Sequence, residues 1–297
     1  MQASVSKDRH LYIGGSDIPI IMNISTFKTR FDLLLEKAQL KEDEFEGNVY
    51  TEYGNRMESK IRDYINQSLG KNFHEGQHIK DDIRLHTDGE DYASILEIKT
   101  TSKIYKTVDE YIVYLVQLLF YMVHAEKETG ILAVYERPEL FDDNFDENRL
   151  QIFMIDKSNY KDLIEKINTE VDKFRSDLEK VKANPLITEE ELQPTELIEL
   201  SNQVVALEER LKEYKAIEDE QKKVKSELKT AMEKYNVKKW TTNNGVQITL
   251  VDDTPDKEVQ KFNEEKFIQE NLELYEKYLE TKIQKGRSGY VKVTLWH

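Results

Sequence analysis

The chain has 297 residues, a formal net charge of -15, 34% charged and 38% hydrophobic residues, and no cysteine. The lack of cysteine excludes disulfides, thiolate zinc sites, iron–sulfur clusters and cysteine nucleophiles, while the acidic balance excludes gripping a polyanion through overall positive charge and leaves only a local basic groove. No run reaches the roughly 18 apolar residues of a membrane span, and residues 1–10 are polar without a signal-peptide core, so a soluble, cytoplasmic protein is expected.

In chain order, the first candidate is Ile13-Gly14-Gly15-Ser16-Asp17. Two glycines before Ser16 predict a tight turn into a short helix, with Ser16 as N-cap and Asp17 facing the positive end of the dipole. Such a turn can hold a phosphate, with Arg9 folded over it, or can be no more than a capped helix. Residues 31–40 predict an amphipathic helix with Leu34, Leu35 and Ala38 inward. In residues 50–65, Met57, Ile61, Tyr64 and Ile65 recur at helical spacing and leave Glu58 on a flank. As a lone glutamate it reads as a solvated residue.

Residues 78–87 predict one strand leading to Asp88, with residues 92–99 returning as its hairpin partner. Alternation places Glu97 and Lys99 on one face and Leu96 and Ile98 on the other, which is the core face. Asp88, across the turn, would bring a second carboxylate to Glu97 and Lys99, around a point suited to a hard cation. Residues 109–124 predict a helix on which Gln117 and Tyr121, four apart, are neighbours. Residues 131–135 and 150–155 predict two further strands, and 159–182 a charged amphipathic helix. The sum is an α/β (α+β) unit over residues 1–183.

Residues 184–196, with two of the five prolines, predict a linker. Beyond it, Leu200, Val204, Leu207, Leu211 and Tyr214 follow heptad spacing, and Leu228, Met232 and Tyr235 resume the register. Glu218, Gln221 and Lys225 interrupt that seam, which favours a helical hairpin arm over an unbroken two-chain zipper. Asn243-Asn244-Gly245 predicts a β-hairpin turn. A last helix over 263–282 and a terminal strand over 290–296 complete the region 197–297, for which three readings are open: DNA contact through Lys282, Lys285, Arg287 and Lys292, packing of a partner subunit by Leu200 to Tyr235, or a solvated arm packed on its own domain.

Glu97-Ile98-Lys99 alone is a weak signal, because exposed strands often carry such pairs. Taken in order, however, Arg9, Ile13-Gly14-Gly15-Ser16-Asp17, Gly54-Asn55-Arg56-Met57-Glu58, Asp88-Gly89, Glu97-Ile98-Lys99 and Gln117-Leu118-Leu119-Phe120-Tyr121 form a set. It resembles the YqaJ-like viral recombinase family, relatives of phage lambda exonuclease in the PD-(D/E)XK nuclease superfamily, over roughly residues 7–155.

The resemblance implies a restriction-endonuclease-like core, a central mixed sheet flanked by helices, acting as a 5′-to-3′ exonuclease on linear double-stranded DNA with two Mg²⁺ or Mn²⁺ ions. It implies Asp88, Glu97, Glu58 and the Ile98 carbonyl as metal ligands, Lys99 as activator of the attacking water, Gln117 in support with Tyr121 behind it, and Arg9 with Ser16 on the 5′-phosphate. It reverses the reading of Glu58 as a solvated residue. Implied partners are DNA ends, a phage single-strand annealing protein and further copies of the chain in a ring-shaped trimer, all in the bacterial host cytoplasm. Relatives often carry serine two residues before the metal-binding aspartate, where this chain has His86, which leaves that phosphate contact open. An endonuclease or repair nuclease of the same fold, and a catalytically silent scaffold, are the competing readings.

Overall fold

The computed structural model describes residues 8–42, 47–251, 253–254, 256, 258–280, 286 and 288–289. It divides into two compact units, Met1–Leu192 and Gln193–His297. The first is built on a five-stranded mixed sheet in the order β1(His74–Lys80), β2(Ile83–Glu90), β3(Ser94–Thr101), β4(Thr129–Glu136), β5(Leu150–Asp156). Neighbours are antiparallel except β3 and β4, which run parallel from Ser94↔Thr129 to Thr101↔Glu136. A parallel pair needs a crossover. Here it is a helix, Ile112–His124.

Among the described residues, five α-helices flank the sheet: α1(Ile18–Ile21), α2(Arg30–Lys37), α3(Val49–Leu69), α4(Ile112–His124) and α5(Lys161–Ala183). Two of them start at side-chain caps. Thr29 and Asp32 form a capping box at α2, the Asp32 N–H donating to Thr29 Oγ1 at 3.0 Å. Asn48 Oδ1 accepts from the Tyr50 and Thr51 N–H groups at α3, which stops at Gly70 in the left-handed conformation, φ +61°.

Both faces of the sheet are core. Tyr53, Met57, Ile61 and Ile65 of α3 cover Leu96, Ile98, Ile131 and Ala133. Ile95, Leu132 and Val134 meet Leu115, Val116, Leu118 and Leu119 of α4 on the other side. Each such fully buried aliphatic side chain contributes about 1.5–3 kcal/mol. The expectation of one core face and one polar face on β3 therefore needs correcting. Glu97 shares the Ile95 side and is completely buried, because α4 closes over it.

Other expectations also change. Residues 78–87 are not one strand: Asp81, at φ +54°, and Asp82 turn β1 into β2, since aspartate tolerates the left-handed region. Strand β3 pairs with β2 only at Gly89↔Leu96 and Glu90↔Ile95. Its full-length partner is β4. Ser16 does not cap a helix. It lies within a 3₁₀ turn, Gly15–Asp17, whose N-cap is Gly14, and the Asp17 carboxylate accepts the Gly14 N–H at 2.9 Å.

In the second unit, α6(Thr195–Lys234) is one continuous helix of 40 residues rather than a helical hairpin. Between 196 and 234 there is no glycine or proline to break it, and strong helix formers dominate. A hairpin of β6(Lys239–Thr241) and β7(Gln247–Thr249) turns at Gly245, φ +77°. The expected last helix is two, α7(Glu264–Glu270) and α8(Leu272–Tyr278), parted at Asn271, φ -140°. Lys282, Lys285, Arg287, Lys292 and the terminal strand lie outside the described residues.

Candidate active site

Asp88 owes its position to a break in the sheet. The register between β1 and β2 slips between Gly76↔Thr87 and His74↔Glu90, so β2 carries one extra residue around Asp88–Gly89. Such a bulge re-aims side chains. Before it, Ile83 and Leu85 belong to the α4-side core; after it, a Cβ on Gly89 would point at Phe73 and Leu96 on the α3 side. Strands β2 and β3 part beyond Leu96, and Asp88 Oδ2 fills the gap by accepting the Ile98 N–H at 2.7 Å.

Glu97 and Lys99 project from the same face of β3, and Lys99 Nζ pairs with Glu97 Oε1. Glu97 Oε2 is buried without a hydrogen-bond partner. Burial first and the Asp88 charge second push the Glu97 carboxyl up to about 8. Asp88 is raised by burial, against the pull of Lys99. Desolvation opposes the Lys99 ammonium, but Glu97 and then Asp88 outweigh it, and its pKa rises. Lys99 is therefore a fixed cation beside carboxyl groups reluctant to ionise.

Helix α3 delivers Glu58, half-buried, with its pKa raised by desolvation and then by Asp88. One turn on, Arg62 donates to Glu58 Oε1 at 2.9 Å, to Glu75 Oε1 at 2.8 Å and to the Asp88 carbonyl. Helix α4 delivers Gln117, whose Nε2 donates to the Tyr121 hydroxyl at 3.1 Å. Burial, then Glu97 and Asp88, keep the Tyr121 phenol neutral, its pKa well above the usual value. Glu58, Asp88, Glu97, Lys99, Gln117 and Tyr121 are thus one electrostatic neighbourhood, assembled from α3, β2, β3 and α4.

The glycine turn joins it from beneath. A Cβ on Gly15 would lie 2.3 Å from the Tyr121 ring, so only glycine lets the turn rest there. Arg9 Nη2 donates to Ser16 Oγ at 3.4 Å and lies 3.5 Å from Asp17 Oδ1. The buried Lys37 ammonium holds this turn, donating to Asp17 Oδ2 at 2.7 Å and to the carbonyls of Arg9 and Tyr12 at 3.0 and 2.5 Å. A cleft of about 390 Å³ opens beside it, lined in part by Arg9, His10, Lys37 and Lys41.

The structure brings the expected residues together and adds some. Arg62, Lys37 and Glu75 escaped the sequence reading. Arg62 carried a legible signal, four residues after Glu58 on one helix face; Lys37 and Glu75 carried none. His86 is half-buried, its Nε2 has no hydrogen-bond partner, and burial, then Arg84, lower its pKa. Burial thus works against the cationic form that a phosphate contact here would favour.

The donor set suits a hard cation: oxygen ligands only, a buried carboxylate oxygen without a partner, and an Asp88 charge that raises the pKa of both Glu58 and Glu97. As the side chains stand, no group of three or more His, Cys, Asp or Glu among the described residues is gathered closely enough to hold a metal. The reason is on view. Arg62 holds Glu58, Lys99 holds Glu97 Oε1, and the Ile98 N–H holds Asp88 Oδ2.

No curated protein matches the chain. Among solved structures it is similar to an alkaline exonuclease (LHK-Exo) from Laribacter hongkongensis, at 21% identity over 60% of this chain and 96% of that one, TM-score 0.46. It is also similar to a phage related exonuclease from Haemophilus somnus 129PT, at 18% identity over 59% of this chain and 96% of that one, TM-score 0.46. Residues 6–128, which hold every candidate side chain above, match the family model of the YqaJ-like viral recombinase domain.

Proposed function

We propose that the site hydrolyses phosphodiester bonds, as a Mg²⁺-dependent 5′-to-3′ exonuclease acting on linear double-stranded DNA. The observation that carries the reading is Glu97: a fully buried carboxylate with one oxygen unpartnered, flanked by Asp88 and Lys99. Burying a carboxyl this way is costly unless a cation or proton meets it. Asp88 and Glu97, with the Ile98 carbonyl, would hold one Mg²⁺, and Glu58 a second once it leaves Arg62; Mn²⁺ would substitute. Bound there, the ions would acidify the attacking water and neutralise the leaving oxygen.

The chain's own residues do the remainder. Lys99, fixed as an ammonium, orients the water and balances charge developing on the phosphate. Gln117, tied to Tyr121, keeps α4 and the buried carboxylates in register. Arg9 and Ser16 bind the 5′-phosphate at the turn that Gly15 seats against Tyr121, which gives the site a direction. The 3′ single strands left behind would be taken up by an annealing protein in phage recombination, and the nuclease would assemble as a ring-shaped trimer around DNA.

The test is nucleotide release from linear duplex, with and without a 5′-phosphate, in Mg²⁺ and in EDTA. Metal-dependent release favouring the phosphorylated end is expected, with at least a hundredfold loss in Asp88→Ala and Lys99→Ala. Release in EDTA, or from either variant at the wild-type rate, overturns the reading. Cutting of closed circular DNA would replace it with an endonuclease. Calorimetry showing no Mn²⁺ binding by the wild type would leave a silent scaffold.

A further inference from the structure

The apolar seam of α6 does not stop where heptad spacing breaks. Toward the N-terminus it runs Leu197, Leu200, Val204, Leu207, Leu211 to Tyr214. Beyond Tyr214 it takes one step of three instead of four and continues through Ile217, Gln221, Val224, Leu228 and Ala231. A single three-residue insertion of this kind overwinds a coiled coil locally without ending it. The spacings read outward from Tyr214 are 3, 4, 3, 4, 3 in both directions. The seam is a palindrome centred on Tyr214.

We propose that α6 is half of an antiparallel two-stranded coiled coil whose other half is α6 of a second copy of this chain, with the two-fold axis at Tyr214. In that arrangement Leu200 stands opposite Leu228, Val204 opposite Val224 and Leu211 opposite Ile217. Gln221 opposite Leu207 is the one mixed layer, of the kind that sets register at a cost in stability. The seam residues from 197 to 224 are exposed in the single chain, Tyr214 by 59% and Ile217 by 61%. Forty residues that expose such a stripe bury it against a partner. Self-pairing is isologous, so a palindromic seam meets itself.

Charge selects the direction. Residues 195–207 hold two glutamates and no basic residue, whereas 221–233 hold four lysines against two glutamates. Antiparallel pairing lays the acidic limb on the basic limb twice; parallel pairing lays like on like. The central Glu208, Glu209, Asp219 and Glu220 meet acid in either direction and do not discriminate.

The chain contains no cysteine, which makes the test direct in the full-length protein under mild oxidation. Tyr214→Cys places two thiols on the axis and is expected to cross-link two copies. Leu200→Cys places them 28 residues apart along the helices, about 42 Å at 1.5 Å per residue, beyond disulfide reach. It is expected to stay uncross-linked, while the double variant Leu200→Cys/Leu228→Cys cross-links. By light scattering, Leu211→Glu/Ile217→Glu is expected to halve the particle mass whatever the nuclease units do. Cross-linking by both single variants means parallel pairing and overturns the proposal. So does an absence of cross-links in Tyr214→Cys, or an unchanged mass in the glutamate double variant.

Discussion

Replacing Glu97 with glutamine tests the electrostatics of the site without DNA. Glu97 is completely buried and its carboxyl is pushed from an ordinary 4.5 up to about 8. Across that window the folded chain holds a proton that the unfolded chain has released. Metal-free stability therefore falls as pH rises, fully retained below 4.5 and lost by about 8. One proton is worth about 1.4 kcal/mol per pH unit, so the window amounts to at most about 5 kcal/mol. At about 2–4 °C per kcal/mol for a domain of this size, Tm changes by something on the order of 10 °C.

Glutamine keeps the shape and removes the titration. In EDTA, the difference in Tm between wild type and Glu97→Gln is expected to open progressively from pH 5 to pH 8.5, with the variant the more stable at the upper end. Calorimetric scans at four pH values measure it, and titrations elsewhere in the chain cancel in the difference. Saturating Mn²⁺ should then raise the wild type, by about 2.7 kcal/mol at a hundred times Kd, and leave the variant unmoved. Parallel pH curves for the two proteins would refute the argument that Asp88 and burial destabilise the Glu97 charge.

Three further substitutions probe the scaffold. Gly15→Ala drives a methyl into the Tyr121 ring, with a 2.3 Å approach to Cε1, and is expected to cost about 1–3 kcal/mol in urea unfolding; the loss should shrink in a Tyr121→Ala background and persist in Tyr121→Phe, which keeps the clashing carbons. Lys37→Met strips a buried aspartate of its cation and should cost about 3–5 kcal/mol, with much of it recovered in Lys37→Met/Asp17→Leu. Arg62→Ala leaves Glu58, Glu75 and the Asp88 carbonyl without a shared donor; a loss of about 1–3 kcal/mol is expected, and a double-mutant cycle with Glu58→Gln should show coupling.

Which parts of this molecule were legible beforehand follows from how local their causes are. Helix α3 was readable because Met57, Ile61 and Ile65 recur at its own period, and the second hairpin because Gly245 marks its turn. Glu97 and Lys99 on one strand face followed from alternation. The burial of that face did not, because it depends on α4, whose core residues Leu115 to Leu119 lie in a separate element further along the chain. Asp81 was misread for a related reason: a left-handed aspartate between two strands looks in sequence like any polar residue within one. The break at Asn271 belongs with it, since nothing in the periodicity of residues 263–282 announces it.

The site divides along the same line. Residue types that chemistry demands, two carboxylates and a lysine, could be found by their kind. The groups that hold them are harder to find: Arg62 shows in sequence only as the helix-face neighbour of Glu58, and its reach to the Asp88 carbonyl, like that of Lys37 to Asp17, depends on elements distant in sequence. Lys37 reaches Asp17 across 20 residues and Arg62 reaches the Asp88 carbonyl across 26. Lys37 fixes the turn that carries Arg9 and Ser16, and Arg62 fixes the bulge that carries Asp88. Tyr121 abuts the glycine turn at Gly15 on one side and has its phenol held neutral by burial and the Glu97 and Asp88 charges on the other, so it is the side chain that lies between the turn and the carboxylates.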